Sequence, residues 1–470
     1  MLSKNQEIEI DITALGSEGE GIGHFEDGMT VFVVDALPGD RVLAHIMKVK
    51  KNFAYAFAAK IISPSPDRVQ AKCVVAKKCG GCTLQHLCYD KQLEYKQEKV
   101  LNCLTRIGGI SNPPMEQIVG ADNIFFYRNK AQFPVGTDEK GLPVIGFYRK
   151  RSHDVVANTE CAIQAEINVG IMGTVEGFLR EFNIPAYNEQ TNAGLVRHVF
   201  TRMGFSTGEV MVCLVINGDK LPDWEVLLER LKAVCKGAMV ELKSFCLNIN
   251  RENTNVILGT KCIPLYGNLY IVDKIGDIKY RISPLSFFQV NPRQTEKLYN
   301  LALEYADLTG QEVVWDLYCG IGTISLFLAQ RAREVYGVEI VPEAIEDARR
   351  NAELNNIMNA SFMVGASEDV ADTLPTPDVI VVDPPRKGCD EKLLETIIKV
   401  APRRLVYVSC DPATLARDVK ILTENGFVLR RVRPVDQFCH TTHVETVVLL
   451  SQLRQKPDDY IDVDVDVAEF

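Results

Sequence analysis

The sequence predicts an α/β protein in three parts: a small N-terminal β-barrel, a mixed α+β middle and a C-terminal doubly wound domain. Three observations carry this. The first 62 residues alternate apolar and polar with period two between glycine-rich turns. Three cysteines fall within ten residues just after a Ser-Pro-Ser-Pro linker at 63–66. From about residue 283, strand patterns alternate regularly with helical ones, which implies a largely parallel sheet. The expected boundaries are 1–62, 63–282 and 283–452, followed by an acidic tail at 453–470. A chain of 470 residues is long enough for these units to bury separate cores.

Composition narrows the class. Apolar residues make up 46%, as in an ordinary globular protein, and no apolar run is long enough to span a bilayer. Met1-Leu2-Ser3-Lys4 leads straight into a strand pattern rather than a signal peptide, so the expected setting is cytoplasmic, with no membrane partner. In that setting the 14 cysteines remain reduced and point to metal binding or catalysis rather than disulfides. The net charge of −10 is a weak argument against a nucleic-acid partner, because Asp458, Asp459, Asp462, Asp464, Asp466 and Glu469 contribute −6 of it from an expectedly disordered tail.

In the first part, Glu7 to Ile12, Met29 to Val34, Arg41 to Ile46 and Tyr55 to Ile62 read as strands. Gly16, Gly19, Gly21 and Gly23 punctuate a turn between the first two. Short strands at this spacing suggest a five-strand barrel of OB type, a fold that often binds oligonucleotides. The pattern Gly-x-Gly-Ile-Gly followed by Leu37-Pro38-Gly39-Asp40 resembles the TRAM domain of RNA-modifying enzymes. Lys48, Lys50, Lys51 and Phe53 are candidates for phosphate and stacking contacts.

Cys73, Cys79 and Cys82 follow, with Gly80 and Gly81 letting the backbone fold closely around a ligand. The spacing implies an inorganic centre and leaves zinc and iron–sulfur open. Cys88 and Cys103 are the nearest fourth ligands, but both lie on a helical pattern, where they serve as core. Cys161 lies in a strand-to-helix turn. Farther on, Tyr127, Arg128, Lys130, Phe147, Tyr148, Arg149, Lys150 and Arg151 interleave cations with rings, which suits RNA.

In the C-terminal part, the strand Glu312 to Tyr318 runs into Cys319-Gly320-Ile321-Gly322. Glu339 stands at the tip of the next strand, placed to accept hydrogen bonds from a ribose diol. The third glycine of a dinucleotide fingerprint is missing, which favours S-adenosylmethionine. Asp383-Pro384-Pro385-Arg386 on a later strand strengthens that choice. The apolar run Leu405 to Val408 ends at Ser409-Cys410-Asp411-Pro412, which puts a cysteine at the tip of a buried strand, with a helix expected from Thr414. Ligands bind at such tips in open α/β sheets.

Taken in order, these motifs, with Phe287-Phe288-Gln289-Val290-Asn291 and His443-Val444-Glu445, resemble the RNA uracil-5-methyltransferases. The likeness is to the TRAM-containing, iron–sulfur 23S rRNA type. The resemblance implies methylation of carbon 5 of uridines in 23S rRNA by a monomer, on a base flipped out of a loop. It implies Cys410 as the nucleophile that adds to carbon 6 of uracil, and Glu445 as the base that removes the carbon 5 proton. It further implies that Gln289, Tyr318, Glu339 and Asp383 line the S-adenosylmethionine pocket. Cys73, Cys79, Cys82 and Cys161 would hold a [4Fe–4S] cluster. His440 and His443 are expected to order the loop before Glu445. Two positions depart from the pattern: Thr323 stands where some members carry Asn, and Cys439 where proline is expected. A tRNA uracil-5-methyltransferase is the nearest alternative. An RNA cytosine-5-methyltransferase often carries a Pro-Cys in the Asp-Pro loop, absent here, and a non-catalytic RNA-binding protein leaves Cys410, Glu445 and Gln289 unexplained.

Overall fold

The computed structural model describes residues 2–26, 28–366, 369 and 373–452; the acidic tail at 453–470 lies outside the described residues. Strands β1 (Glu7–Leu15), β2 (Gly21–His24), β3 (Thr30–Val34), β4 (Arg41–Val49) and β5 (Phe53–Ser63) close into a barrel in the order β1-β2-β3-β5-β4. Ile8, Ile10 and Ile12 point inward from β1 while Glu7, Glu9 and Asp11 face water, as the period-two pattern requires. The segment read as a turn contains a strand, β2. A Cβ at Gly21 would lie 2.8 Å from the Ala36 carbonyl, and one at Gly23 would lie 2.6 Å from that of Asp11. Glycine is needed there for close strand approach, not for a turn.

Helix α1 (Tyr89–Arg106) follows the cysteines. Next come β6 (Lys130–Thr137), β7 (Pro143–Tyr148), β8 (Val155–Ala157), α2 (Ile167–Glu181), β9 (Val196–Met203), β10 (Glu209–Ile216), α3 (Trp224–Gly237), β11 (Glu241–Ile249) and β12 (Lys261–Gly267). These strands form one sheet in the order β12-β11-β10-β9-β6-β7-β8. Its one parallel pair, β10 with β11, is joined by the crossover helix α3. Phe178 and Leu179 of α2 and Leu227 and Leu231 of α3 bury one face of it.

The hairpin of β13 (Ile271–Ile275) and β14 (Ile278–Ile282) packs its isoleucines and Tyr280 into the same core as α4 (Pro292–Ala306). The C-terminal sheet is built from β15 (Val313–Leu317), β16 (Glu334–Glu339), β17 (Ala360–Val364), β18 (Val379–Val382), β19 (Arg404–Ser409), β20 (Phe427–Val435) and β21 (Glu445–Gln452), in the order β17-β16-β15-β18-β19-β21-β20. Helices α5 (Thr323–Ala329), α6 (Pro342–Leu354), α7 (Glu391–Val400) and α8 (Pro412–Glu424) cover its faces. Helix α8 starts two residues earlier than expected because Asp411 caps it, accepting from the Ala413 and Thr414 amides, and Pro412 fits the first turn.

The expectation of a parallel sheet fails at β21, the last strand of the chain, which enters reversed between β19 and β20. β21 runs antiparallel to both β19 and β20. A loop at 436–444 joins β20 to β21 with no crossover helix, so the chain returns in the opposite sense. Val100 and Leu104 of α1 enter the core of this sheet beside Trp315, and Met115 and Val119 bridge to Val432 and Val435 of β20. The segment after the cysteines therefore leans on the C-terminal sheet. Among the described residues, no helix is long and apolar enough to cross a membrane.

Candidate active site

The parallel strands end at a cavity of about 670 Å³, a volume suited to a nucleoside-sized ligand. Gln289, Tyr318, Glu339, Asp383, Cys410 and Glu445 all line it, so the residues singled out in the sequence converge although they span more than a third of the chain. At one end, Tyr318 takes a left-handed φ of 75°, backbone strain of the kind held at functional sites. The Gly320 amide donates to Glu339 Oε2 at 3.2 Å and the Val341 amide to Oε1 at 3.1 Å, which fixes the carboxylate at the strand tip. Beneath them Asp316 is fully buried and hydrogen-bonded to the Ser325 hydroxyl; its Oδ1 has no partner among the described residues.

At the other end, register brings Cys410 and Glu445 together. β19 and β21 pair antiparallel, with Ser409 opposite Thr446, so the next residues off the end of the ladder are Cys410 and Glu445. The Asp-Pro-Pro loop meets them from β18. Asp418 of α8, fully buried, anchors that loop by accepting from the Cys389 amide at 2.9 Å and the Tyr407 hydroxyl at 2.7 Å. Gly388, at φ 77°, leaves room for Asp418 and Arg417.

The electrostatics are lopsided. Burial pushes the Asp316 carboxyl up to about 7. Burial also raises Asp383, aided by Asp316, and raises Glu445, aided by Asp383. The Cys410 thiol is pushed up to about 12 by burial and by Glu445 and Asp383, against the pull of the Arg386 guanidinium. Glu445 Oε2 has no hydrogen-bond partner among the described residues. Two buried carboxyls, Asp316 and Glu445, the half-buried Asp383 and a thiol thus share a cavity whose cations are Arg386 and Lys387 at the rim, which leaves it receptive to positive charge.

Several lining residues had not been singled out for the site. Asp316 heads the strand-to-glycine motif Asp316-Leu317-Tyr318-Cys319-Gly320-x-Gly322 but had been given no role of its own. Phe287, 66% exposed and part of the Phe287-Phe288-Gln289-Val290-Asn291 motif, and Phe438 line the cavity although neither had been given a role there. Gln437, fully buried, donates to Thr295 Oγ1 at 2.8 Å and lies 3.5 Å from Gln289 Oε1. The two histidines divide. His440 is buried, stacked on Phe125 and hydrogen-bonded to Gln92, so it orders the loop. His443 faces the cavity, with burial and Arg386 lowering its pKa to about 4. Thr323 begins α5 and accepts from the Tyr299 hydroxyl at 3.1 Å. Cys439 packs into the core with its carbonyl accepting from Tyr127 at 3.0 Å.

Cys73, Cys79, Cys82 and Cys161 line a second cavity of about 250 Å³. Cys88 stands just before the first turn of α1 and Cys103 lies within that helix, and neither lines this cavity. Donors surround the sulfurs: the Gly81 amide at 3.3 Å from Cys79, Gln85 at 3.7 Å from Cys82 and Asn158 at 3.9 Å from Cys73. Burial and the other cysteines push Cys82 up to about 12, against nearby Arg128. Among the described residues, no group of three or more His, Cys, Asp or Glu side chains closes tightly enough to hold one metal ion. The four thiols ring a space instead of meeting at a point, and N–H donors aimed at sulfur suit thiolate ligands.

An acid fixed over a glycine turn, an open cavity at the strand tips and buried carboxyls awaiting a cation are how S-adenosylmethionine-dependent methyltransferases are built. Residues 88–378 and 376–453 match the tRNA (uracil-5-)-methyltransferase family, and residues 3–58 match the TRAM domain. The chain belongs to the tRNA (uracil-5-)-methyltransferase family. It is 49% identical to an uncharacterized RNA methyltransferase of Bacillus cereus (strain ATCC 10987 / NRS 248), over 97% of this chain and 98% of the relative. It is 48% identical to another from Clostridium acetobutylicum, over 96% and 98%. The structure of the Pyrococcus abyssi tRNA (uracil-54, C5)-methyltransferase in complex with S-adenosyl-L-homocysteine superposes with a TM-score of 0.75 at 31% identity, covering 94% of this chain and 100% of that one.

Proposed function

We propose that this enzyme methylates carbon 5 of specific uridines in 23S rRNA. The observation that carries the chemistry is the meeting of Cys410 and Glu445 at the end of the β19–β21 ladder, in the cavity that also holds Asp383 and Gln289. When bound, S-adenosylmethionine supplies an electrophilic methyl group and a positive sulfonium. Glu339 takes the ribose hydroxyls, while Tyr318, Gln289 and Asp383 line the donor's place. Carbon 5 of uracil is too poor a nucleophile to attack a methyl sulfonium unaided. Cys410 gives up its proton to solvent, with Arg386 favouring the thiolate, and adds to carbon 6, which makes carbon 5 nucleophilic; after carbon 5 has been methylated, Glu445 removes its proton and the Cys410 thiolate leaves. Gln289 and Asp383 are also within reach of the base.

Cys73, Cys79, Cys82 and Cys161 would hold a [4Fe–4S] cluster. Methyl transfer to uracil has no redox step, so its role is structural. The Gly80 amide donates to the Tyr148 carbonyl, and Cys79 bridges to Arg149. That junction gathers Lys77, Lys78, Arg149 and Arg151, all exposed and without ion-pair partners among the described residues. Such a rim suits phosphates despite the negative net charge. On the barrel, Phe32, Phe53 and Tyr55 pack as an outward aromatic group beside exposed Lys48, Lys50 and Lys51, a surface on which bases can stack.

A tRNA substrate is the second reading, and one observation favours it. The Pyrococcus abyssi tRNA enzyme superposes on 94% of this chain, so only about 28 residues lack a counterpart, fewer than the barrel contains. A front barrel therefore does not by itself separate rRNA from tRNA enzymes. Methylation assays on unmodified 23S rRNA and tRNA transcripts side by side decide between them.

A further inference from the structure

One face of α1 carries four polar side chains at positions 89, 92, 96 and 99, a spacing that stacks them along a single side of a helix. Each grips the loop at 436–444 that leads into Glu445. The Tyr89 hydroxyl donates to Asp436 Oδ2 at 2.8 Å. Gln92 Oε1 accepts from the His440 amide at 2.9 Å, with Gln92 Nε2 3.3 Å from His440 Nδ1. Lys96 Nζ pairs with Asp436 Oδ1 at 2.5 Å and donates to the Phe438 carbonyl at 3.0 Å. Lys99 Nζ donates to the Thr442 carbonyl at 3.1 Å. Both side chains of the Lys96–Asp436 pair are wholly excluded from solvent.

A second grip comes from the segment just after Cys82. The Thr83 and Leu84 amides both donate, at 2.9 Å, to the carbonyl of His440, which holds a left-handed φ of 66°. Gln294 and Thr295 of α4 hold the loop's first two residues and Tyr127 the Cys439 carbonyl, and residues 83–99 add the contacts that reach from Asp436 to Thr442. Two of its members, Phe438 and His443, line the active-site cavity, and Glu445 follows directly. A lysine with no exposed atom is costly to place in a core, and it does nothing for the barrel or the sheet. Its partners all lie on the loop.

We propose that Lys96, with Gln92, is a positioning residue for Glu445: the polar face of α1 is the template that aims the base. This rests on Glu445 being the base that resolves the covalent adduct. In that step the carbon 5 proton passes to the Glu445 carboxylate, the C–H electron pair forms the carbon 5–carbon 6 double bond, and the Cys410–carbon 6 bond breaks to return the thiolate. Misaiming Glu445 spares adduct formation and slows its release. A displacement of about 1 Å at a catalytic group costs on the order of 10²-fold.

The test compares wild type with Glu445→Gln, Lys96→Met, Lys96→Met/Asp436→Asn and Gln92→Leu. Each is incubated with S-adenosylmethionine and whichever unmodified transcript, 23S rRNA or tRNA, the wild type methylates. The double variant removes the unpaired carboxylate that Lys96→Met leaves buried, and Gln92→Leu keeps the pair intact; both guard against simple unfolding. Protein–RNA adduct surviving denaturing electrophoresis is quantified alongside turnover. Donor affinity by calorimetry is the independent readout and is expected to stay within about twofold, because α1 does not line the donor cavity. The expected result is adduct accumulation in all four variants, with turnover down about 10–100-fold in the Lys96 and Gln92 variants. A general loss of stability lowers adduct and turnover together. Adduct from Glu445→Gln but not from the Lys96 and Gln92 variants overturns this inference alone. No adduct from Glu445→Gln overturns the reading of Glu445, and the inference with it.

Discussion

Cys410 and Glu445 face each other because β19 and β21 run antiparallel, with Ser409 opposite Thr446 as the last pair of the ladder. Glu445 begins its strand and Cys410 follows the end of its own. In a parallel sheet those two ends lie at opposite edges, a full strand length apart. The reversed last strand is therefore a condition of the proposed chemistry.

The surplus of buried carboxyls makes donor binding depend on pH. Asp316, Asp383 and Glu445 are all held above the ordinary carboxyl range by burial, so they ionise around and above neutrality. S-Adenosylmethionine carries a positive sulfur and S-adenosylhomocysteine a neutral one. Calorimetry across about pH 6 to 9 is expected to show the ratio of their affinities moving towards S-adenosylmethionine as pH rises, with proton release specific to it. Parallel pH profiles for the two ligands contradict this.

Glu445 is held at a cost to stability. Its folded carboxyl titrates above its unfolded value, so the stability it contributes is fully present below the ordinary glutamate range and is lost as pH rises through the raised folded value. Glu445→Gln lacks that loss. Its melting temperature is expected to match wild type near about pH 4.5 and to exceed it by about 2–6 °C near about pH 8.5. Equal melting curves at both values contradict the assignment of a buried, strained carboxyl.

The cysteine ring predicts a cluster. Anaerobically purified protein is expected to contain about four irons and four sulfides per chain. Serine at Cys73, Cys79, Cys82 or Cys161 removes them, and serine at Cys88 or Cys103 does not. Stoichiometric zinc in place of iron contradicts the cluster.

The basic rim beside the cysteines predicts a change in salt dependence. Replacing Lys77, Lys78, Arg149 and Arg151 together with alanine is expected to weaken RNA binding and flatten the plot of log affinity against log salt. The loss of slope is about 0.7 per phosphate contact removed. An unchanged slope places the RNA elsewhere.

Much of this was legible in the sequence because local patterns carried it. The Val-rich strands, the Gly320-x-Gly322 turn, the Asp383-Pro384-Pro385 loop and the Ser409-Cys410-Asp411-Pro412 tip each announce their element. What was not legible depended on partners distant in the chain. The direction of β21 follows from a loop with no helix in it, and Gly21 and Gly23 read as turn residues until Ala36 and Asp11 appear beside them. Gln92 and Lys96 look like the solvated face of an amphipathic helix, and only the loop at 436–444 explains why both are buried.

The central claim is tested most directly by mapping 5-methyluridine by mass spectrometry after incubating the protein and S-adenosylmethionine with unmodified 23S rRNA and tRNA transcripts, beside a Cys410→Ala control. The predicted result is 5-methyluridine at discrete 23S rRNA positions, absent from the control. The same modification on tRNA alone contradicts the proposed substrate and leaves the chemistry standing. Its absence from both RNAs, in protein that binds the donor, or its persistence in Cys410→Ala, contradicts the proposed chemistry itself.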